Sequence, residues 1–290
     1  MKKILVPTDF SKEADNALEV ASYIAKKTGA EIILFNVIEM ALPVDYYSIP
    51  QVDIATMPIQ VDKTSQMKAL SDMKQKLKEI EKKLKAQEIK CKSEVDLDVD
   101  NVFKDISEVI AKREDVDLIV MGSKGSSGLS ELIIGSNTER VVRYAKTPVL
   151  TIKTVGDHFK ISKVVYSTDF EETNAKVFKK AKAIADIFDA HICLLYINTP
   201  SYFISNKDIS IKFEKLIETY QLTNYSTHIY NDFEAENGVL TFAKEVEADL
   251  IIVPTNGRTG IAHFFNGSFT ENLVNHATIP VLSINMNKLT

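Results

Sequence analysis

Cysteine is nearly missing from this chain of 290 residues. Cys91 and Cys193 stand alone in their respective halves and occupy unrelated positions, so no disulfide frame or thiolate metal set can be built from them. The five histidines (His158, His191, His228, His263 and His276) show no close ligand spacing, which argues against a metal site. No apolar run is long enough to cross a bilayer. The run after Lys2 and Lys3 breaks at Pro7 and Asp9, too soon for a secretory signal. Reduced thiols and a cytoplasmic location are therefore expected. An excess of positive charge is lacking too. A net charge of −5 argues against general affinity for nucleic acid, which needs a clustered positive field. The P-loop spacing and the dinucleotide fingerprint are both absent. No nucleophile–base pair or adenylyl-transfer motif can be located, so catalysis is the least supported class of function.

What the chain does have is a long internal repeat. Ile4-Leu5-Val6-Pro7-Thr8-Asp9-Phe10 returns 160 residues later as Val164-Val165-Tyr166-Ser167-Thr168-Asp169-Phe170. Asp117-Leu118-Ile119-Val120-Met121-Gly122-Ser123-Lys124-Gly125 returns as Asp249-Leu250-Ile251-Ile252-Val253-Pro254-Thr255-Asn256-Gly257. Gly135-Ser136 and Gly267-Ser268 match, as do Pro148-Val149-Leu150 and Pro280-Val281-Leu282. A unit of this length is a duplicated domain, since solenoid units recur every few tens of residues. Two domains are expected, 1–154 and 161–290, joined by a linker at Thr154–Lys160.

Each copy alternates apolar runs with helical patterns, the signature of a parallel α/β sheet. Strands are expected in the first copy near Lys3–Thr8, Glu31–Ile38, Lys92–Leu97, Leu118–Gly122 and Val149–Lys153. Its helices are expected near Asn16–Lys27, Thr64–Gln87, Val102–Arg113 and Ser136–Tyr144. Second-copy strands fall near Lys163–Thr168, Ala190–Ile197, Tyr225–Tyr230, Leu250–Val253 and Val281–Asn285. Five parallel strands joined by right-handed crossovers suit the order 3-2-1-4-5, a doubly wound, Rossmann-like fold. That order reverses between strands one and four. A crevice opens there, beside Thr8-Asp9 and Gly122-Ser123-Lys124-Gly125.

The spacing Gly122-x2-Gly125-x9-Gly135-Ser136 offers a loop whose amides can approach a ligand closely, then a helix N-terminus. That suits phosphate, and Lys124 adds charge inside the loop. Asp9 could accept from ribose or base donors, and Val37 could pack on a base. Ser136 with Glu139, and Ser268 with Glu271, read as capping boxes.

The ordered set of Pro-Thr-Asp after strand one, Gly-x2-Gly-x9-Gly-Ser after strand four, and a terminal Pro-Val-Leu strand resembles the universal stress proteins, here in tandem. The resemblance implies an ATP site, with or without Mg, built from Pro7, Thr8, Asp9, Val37, Met121, Gly122, Gly125, Gly135, Ser136, Asn137 and Thr138. Ser123 and Lys124 lie within the same loop. AMP or another adenine nucleotide suits the same crevice. The resemblance also implies a non-catalytic stress-response role and an internal pseudo-dimer packed through Pro148–Lys153 and Pro280–Asn285. A homodimer, a scaffold that binds no nucleotide, and an enzyme acting on a nucleotide or small acyl substrate stay open as alternatives.

The second copy departs from the motif. Pro254 replaces Gly122 and Ser167 replaces Pro7, and proline has no N–H to donate. Losing one charge-assisted hydrogen bond costs roughly 1.5–3 kcal/mol, so a degenerate second site is expected. Simpler readings stand beside these. Asp9 and Asp169 suit a cap on the turn after strand one. Gly135, Gly267 and the Ser–Glu pairs persist in both copies, which helix capping explains. The segment Met40–Asp62 is a candidate lid or packing loop. On the following helix, Leu70, Met73, Leu77, Ile80 and Leu84 form an apolar seam that lies either on its own sheet or against another helix. The lysines of its other face read as a solvated surface.

Overall fold

The computed structural model describes residues 1–37, 63–96, 106–123, 135–156, 159–170, 175–255 and 267–285. In the first copy the elements run β1 (Lys3–Pro7), α1 (Lys12–Thr28), β2 (Glu31–Val37), α2 (Lys63–Ala86) and β3 (Cys91–Asp96). They continue through α3 (Ile106–Ala111), β4 (Leu118–Gly122), α4 (Ser136–Tyr144) and β5 (Val149–Ile152). The second copy follows with β6 (Lys163–Ser167), α5 (Ala175–Phe188), β7 (His191–Asn198), α6 (Asn206–Tyr220) and β8 (Tyr225–Asn231). It ends with α7 (Ala235–Glu245), β9 (Leu250–Thr255), α8 (Gly267–His276) and β10 (Val281–Asn285).

Among the described residues, ten strands share one sheet in the order β3-β2-β1-β4-β5-β10-β9-β6-β7-β8. Each half therefore has the expected 3-2-1-4-5 order. Pairing is parallel within each half. The halves meet through β5 and β10, which run antiparallel with Leu150 opposite Leu282. Thr151 adds a hydroxyl bond to the Val281 carbonyl at 3.1 Å. Joining the two last strands removes an exposed edge from each half, where unpaired amides would invite aggregation.

The central strands carry apolar residues on both faces because helices cover both. Ile4, Val6, Ile32 and Leu34 face a core shared with α1 and α2, while Leu5, Ile33, Phe35 and Ile119 face α3 and α4. The α2 seam lies on its own sheet: Leu77 and Leu84 are buried in the α1/α2 core, with Met73 and Ile80 packed against it. The described lysines on its outer face are exposed, and Lys76 sits over the Phe10 ring.

Helix α1 starts four residues before its expected position, because Ser11 caps it by accepting from the Ala14 amide at 3.2 Å. It ends at Gly29, whose φ of 71° supplies the left-handed turn that favours glycine. Met40–Asp62 lies outside the described residues, as does 97–105, which held the start of the expected third helix.

Candidate functional site

β1 and β4 pair through Ile4–Leu118 and Leu5–Ile119, and the candidate crevice is the switch point beyond their carboxyl ends. On the β1 side, the Thr8 amide continues the ladder by donating to the Phe35 carbonyl at 2.8 Å. The Thr8 hydroxyl accepts from the Phe10 amide at 3.1 Å, and Phe10 has a φ of 62°. Thr168 and Phe170 repeat this turn, at 3.0 Å and with a φ of 63°. The Thr-Asp-Phe agreement between copies thus has a backbone cause. Asp9 stays exposed, and its Oδ1 accepts from the Ser11 amide at 3.0 Å. It is a turn cap in addition to any ligand role. Pro7 is half-buried at the end of β1, opposite Phe35. Val37 ends β2, in register with Asp96.

On the β4 side, Met121 is a core residue between the sheet and α3/α4. Gly122 is pressed against α1: a Cβ added there would meet the backbone carbon and Cβ of Glu13 at 2.9 Å. Sequence comparison of the two copies pointed to Gly122 as a phosphate donor. The structure supplies an independent packing reason for that glycine. Ser123 is 4% exposed, and its hydroxyl has no partner among the described residues. The Ser123 carbonyl accepts from the Gly135 amide at 2.8 Å, closing the neck of the loop between them. Lys124 and Gly125 lie in that loop, outside the described residues.

Helix α4 brings the remaining candidates. Its N-cap is Gly135, and no side chain caps it. The expected Ser136–Glu139 capping box does not form, because Ser136 lies one position inside the helix, past the place where a hydroxyl reaches back to the N3 amide. Ser268 is likewise inside α8, and Glu271 instead pairs with Arg143 of the other half. Ser136 and Asn137 are exposed on the first turn of α4. Thr138 is buried, and its hydroxyl donates to the Gly122 carbonyl at 2.9 Å, so it positions the β4 end rather than facing the crevice. Together these residues leave a helix N-terminus, with its positive dipole end and without a side-chain cap at Gly135, at the carboxyl end of β4.

Two contributors escaped the motif. Glu13 matters through its backbone, which the sequence does not advertise. Asn36 is 5% exposed, donates to the Thr8 carbonyl at 2.6 Å, and keeps its Oδ1 buried without a partner among the described residues. A lone amide at the end of Ile32-Ile33-Leu34-Phe35 was the available signal, since buried polar groups need a reason. At the matching position the second copy carries Tyr196, whose ring stacks on Phe170 at 5.3 Å. Phe213 meets Phe170 edge-on at 4.9 Å. Aromatic packing therefore fills the core beneath α5 and α6 at this position of the second half. Pro254 stands in β9 opposite Ile284, as Gly122 stands in β4 opposite Ile152.

With two doubly wound halves and a helix N-terminus at the switch point, comparison with known proteins gives a consistent family. The model of the universal stress protein family matches residues 1–153 and again 160–285. The chain belongs to the universal stress protein family. A universal stress protein of Methanocaldococcus jannaschii is 37% identical over 162 residues, covering 52% of this chain and 94% of that protein. One from Bacillus subtilis is 30% identical over 156 residues, covering 52% and 98%. Across both halves, the crystal structure of a universal stress protein from Archaeoglobus fulgidus is similar with a TM-score of 0.69. It is 21% identical and covers 98% of this chain and 96% of that one, a likeness of fold.

Proposed function

We propose that the first domain, residues 1–154, binds ATP in the crevice between β1 and β4, and that the protein acts as a non-catalytic regulator in the cytoplasmic stress response. The observation that carries this reading is the start of α4. The helix starts at the carboxyl end of β4, beside the switch point, without a side-chain cap, an arrangement suited to phosphate. Asp9 and the end of β2 at Val37 stand where ribose and base would lie, with Pro7 and Thr8 forming the floor. In this reading Ser123, Lys124, Gly125, Ser136 and Asn137 would contact the phosphates, with or without Mg. The motif shared with the family supports adenine as the base. The second domain, residues 161–290, carries a degenerate site, a reading supported by Pro254 and the Phe170–Tyr196 stack. Bound nucleotide would act by shifting a conformational or partner-binding equilibrium.

The test is calorimetric titration of Mg-ATP into nucleotide-stripped protein and a Ser136→Asp variant. Aspartate in the first turn favours the helix by roughly 0.3–1 kcal/mol. Facing a phosphate at about 5 Å, with an effective dielectric constant of about 20, the same charge costs up to ~3 kcal/mol. Wild type should bind at one site per chain. The variant should keep its thermal stability and lose at least about 10-fold in affinity. Equal affinities would remove the phosphate from α4, and no binding at millimolar ATP would leave a family scaffold without nucleotide.

A further inference from the structure

A cavity of about 430 Å³ lies on the opposite edge of the sheet, at the amino ends of the first-half strands. It is a junction between the halves: Val116 and Pro148 come from the approaches to β4 and β5, while Ala183, Ile184 and Ile187 come from α5. Its size falls within the usual range for small-ligand sites, roughly 300–1,000 Å³.

The repeat locates an asymmetry at its wall. The offset that relates Asp9 to Asp169 relates Tyr23 to Ala183 and Thr28 to Phe188. On the filled side, Tyr23 stacks on Phe188 at 5.4 Å and meets Phe159 edge-on at 5.5 Å. Its hydroxyl accepts from the Ile161 amide at 3.3 Å. Ile161 matches Met1 by the same offset, and Met1 lines the cavity. Where one side of the pseudo-twofold places two aromatic rings, the other offers alanine and threonine.

The charges at the rim are unevenly satisfied. Lys146 is paired with Glu114 at 2.6 Å. Asp117 accepts from the Lys2 and Lys3 amides at 2.5 and 2.9 Å. Lys180 has no hydrogen bond or ion pair among the described residues. Lys180 is exposed by area, and partial desolvation of its ammonium against the cavity lowers its pKa, with the attraction of Asp117 offsetting this in part. The floor formed by Val116, Pro148, Ile184 and Ile187 is apolar, the rim carries charged groups of both signs, and Lys180 is the rim lysine without a carboxylate partner among the described residues; this combination is matched by a molecule with an apolar body and one anionic group.

We propose that this cavity binds a small monocarboxylate with an aryl or short alkyl body. The carboxylate meets Lys180, and the body lies against Val116, Pro148, Ile184 and Ile187. Because the walls come from both halves, such a ligand would hold them in one arrangement. The site is separate from the nucleotide crevice and does not depend on it.

Calorimetric titration with 2-naphthoate, and with neutral 2-naphthamide, tests this on the full chain, on Ala183→Tyr and on Lys180→Gln. Wild type is expected to bind one naphthoate per chain and the amide at least 5-fold more weakly. Lys180→Gln alters an exposed side chain and should bring naphthoate down to the amide's affinity. Ala183→Tyr, which copies the filled side, should abolish binding of both while thermal unfolding stays cooperative. Absence of naphthoate binding to wild type at millimolar concentration overturns the proposal. Equal affinities of wild type and Lys180→Gln for naphthoate overturn it as well, because that variant does not depend on repacking the cavity.

Discussion

Replacing Gly122 by alanine tests how the first crevice is held open. The added methyl would lie 2.9 Å from the backbone carbon and Cβ of Glu13, and 3.0 Å from its carbonyl oxygen. These are not the mobile ends of a flexible chain. Glu13 sits in the first turn of α1, which is fixed by the Ser11 cap and by Ala14, Ala17 and Val20 packed on the sheet. Moving Glu13 by the few tenths of an ångström required would shift that contact. Overpacking of this kind costs about 1–3 kcal/mol. Alanine also restricts the unfolded chain, which returns roughly 0.4–1 kcal/mol. A net destabilisation of about 1–2 kcal/mol is expected, read from the urea midpoint by circular dichroism. Gly156→Ala is the control, because no atom lies within 4 Å of a Cβ there. It should stay within about 0.5 kcal/mol of wild type. If Gly122→Ala unfolds at the wild-type urea concentration, the packing account of this glycine is wrong. Its difference from Pro254 would then return to being a sign of phosphate binding.

Asp117 supplies a pH prediction. Burial tends to raise its pKa, but the Lys2 and Lys3 amides and the nearby positive charges outweigh burial and lower it. A lowered folded-state value means stability that is present above the unfolded pKa, about 3.9, and is lost as pH falls through the folded value. Asp117→Asn should therefore cost on the order of 1 kcal/mol at pH 7 and approach wild type in unfolding curves as pH falls through the folded value. Between the halves, Arg143 and Glu271 form an ion pair that is mostly shielded from solvent. A double-mutant cycle with Arg143→Met and Glu271→Gln should give a coupling of roughly 0.5–2 kcal/mol, measured by chemical unfolding.

Strand order was legible because the apolar runs are continuous and the repeat marks equivalent positions. The pairing of β5 with β10 followed from family resemblance, since no pattern within Val149-Leu150-Thr151-Ile152 names its partner. Boundaries were less legible. Apolar periodicity alone places the start of α1 at Asn16, whereas the Ser11 cap brings it forward to Lys12. The expected capping box at Ser136 failed by one residue, because Gly135 takes the cap position itself. Gly122 illustrates the deeper limit. Comparing the two copies identified a position that differs, but not whether a ligand or a neighbouring backbone demands the glycine. That distinction needed the approach of Glu13, a contact between residues far apart in the chain. Repeated acids were similarly ambiguous: Asp117 and Asp249 recur because each accepts two backbone amides at the start of the first strand of its half.

The central claim is that ATP occupies the first half alone. Photolabelling with 8-azido-ATP, followed by peptide mapping, tests it most directly. Label protected by excess ATP should fall on first-half peptides around Asp9 or the end of β2, with none above background between Ile161 and Thr290. Protected label confined to the second half, or shared equally between the halves, would contradict the account.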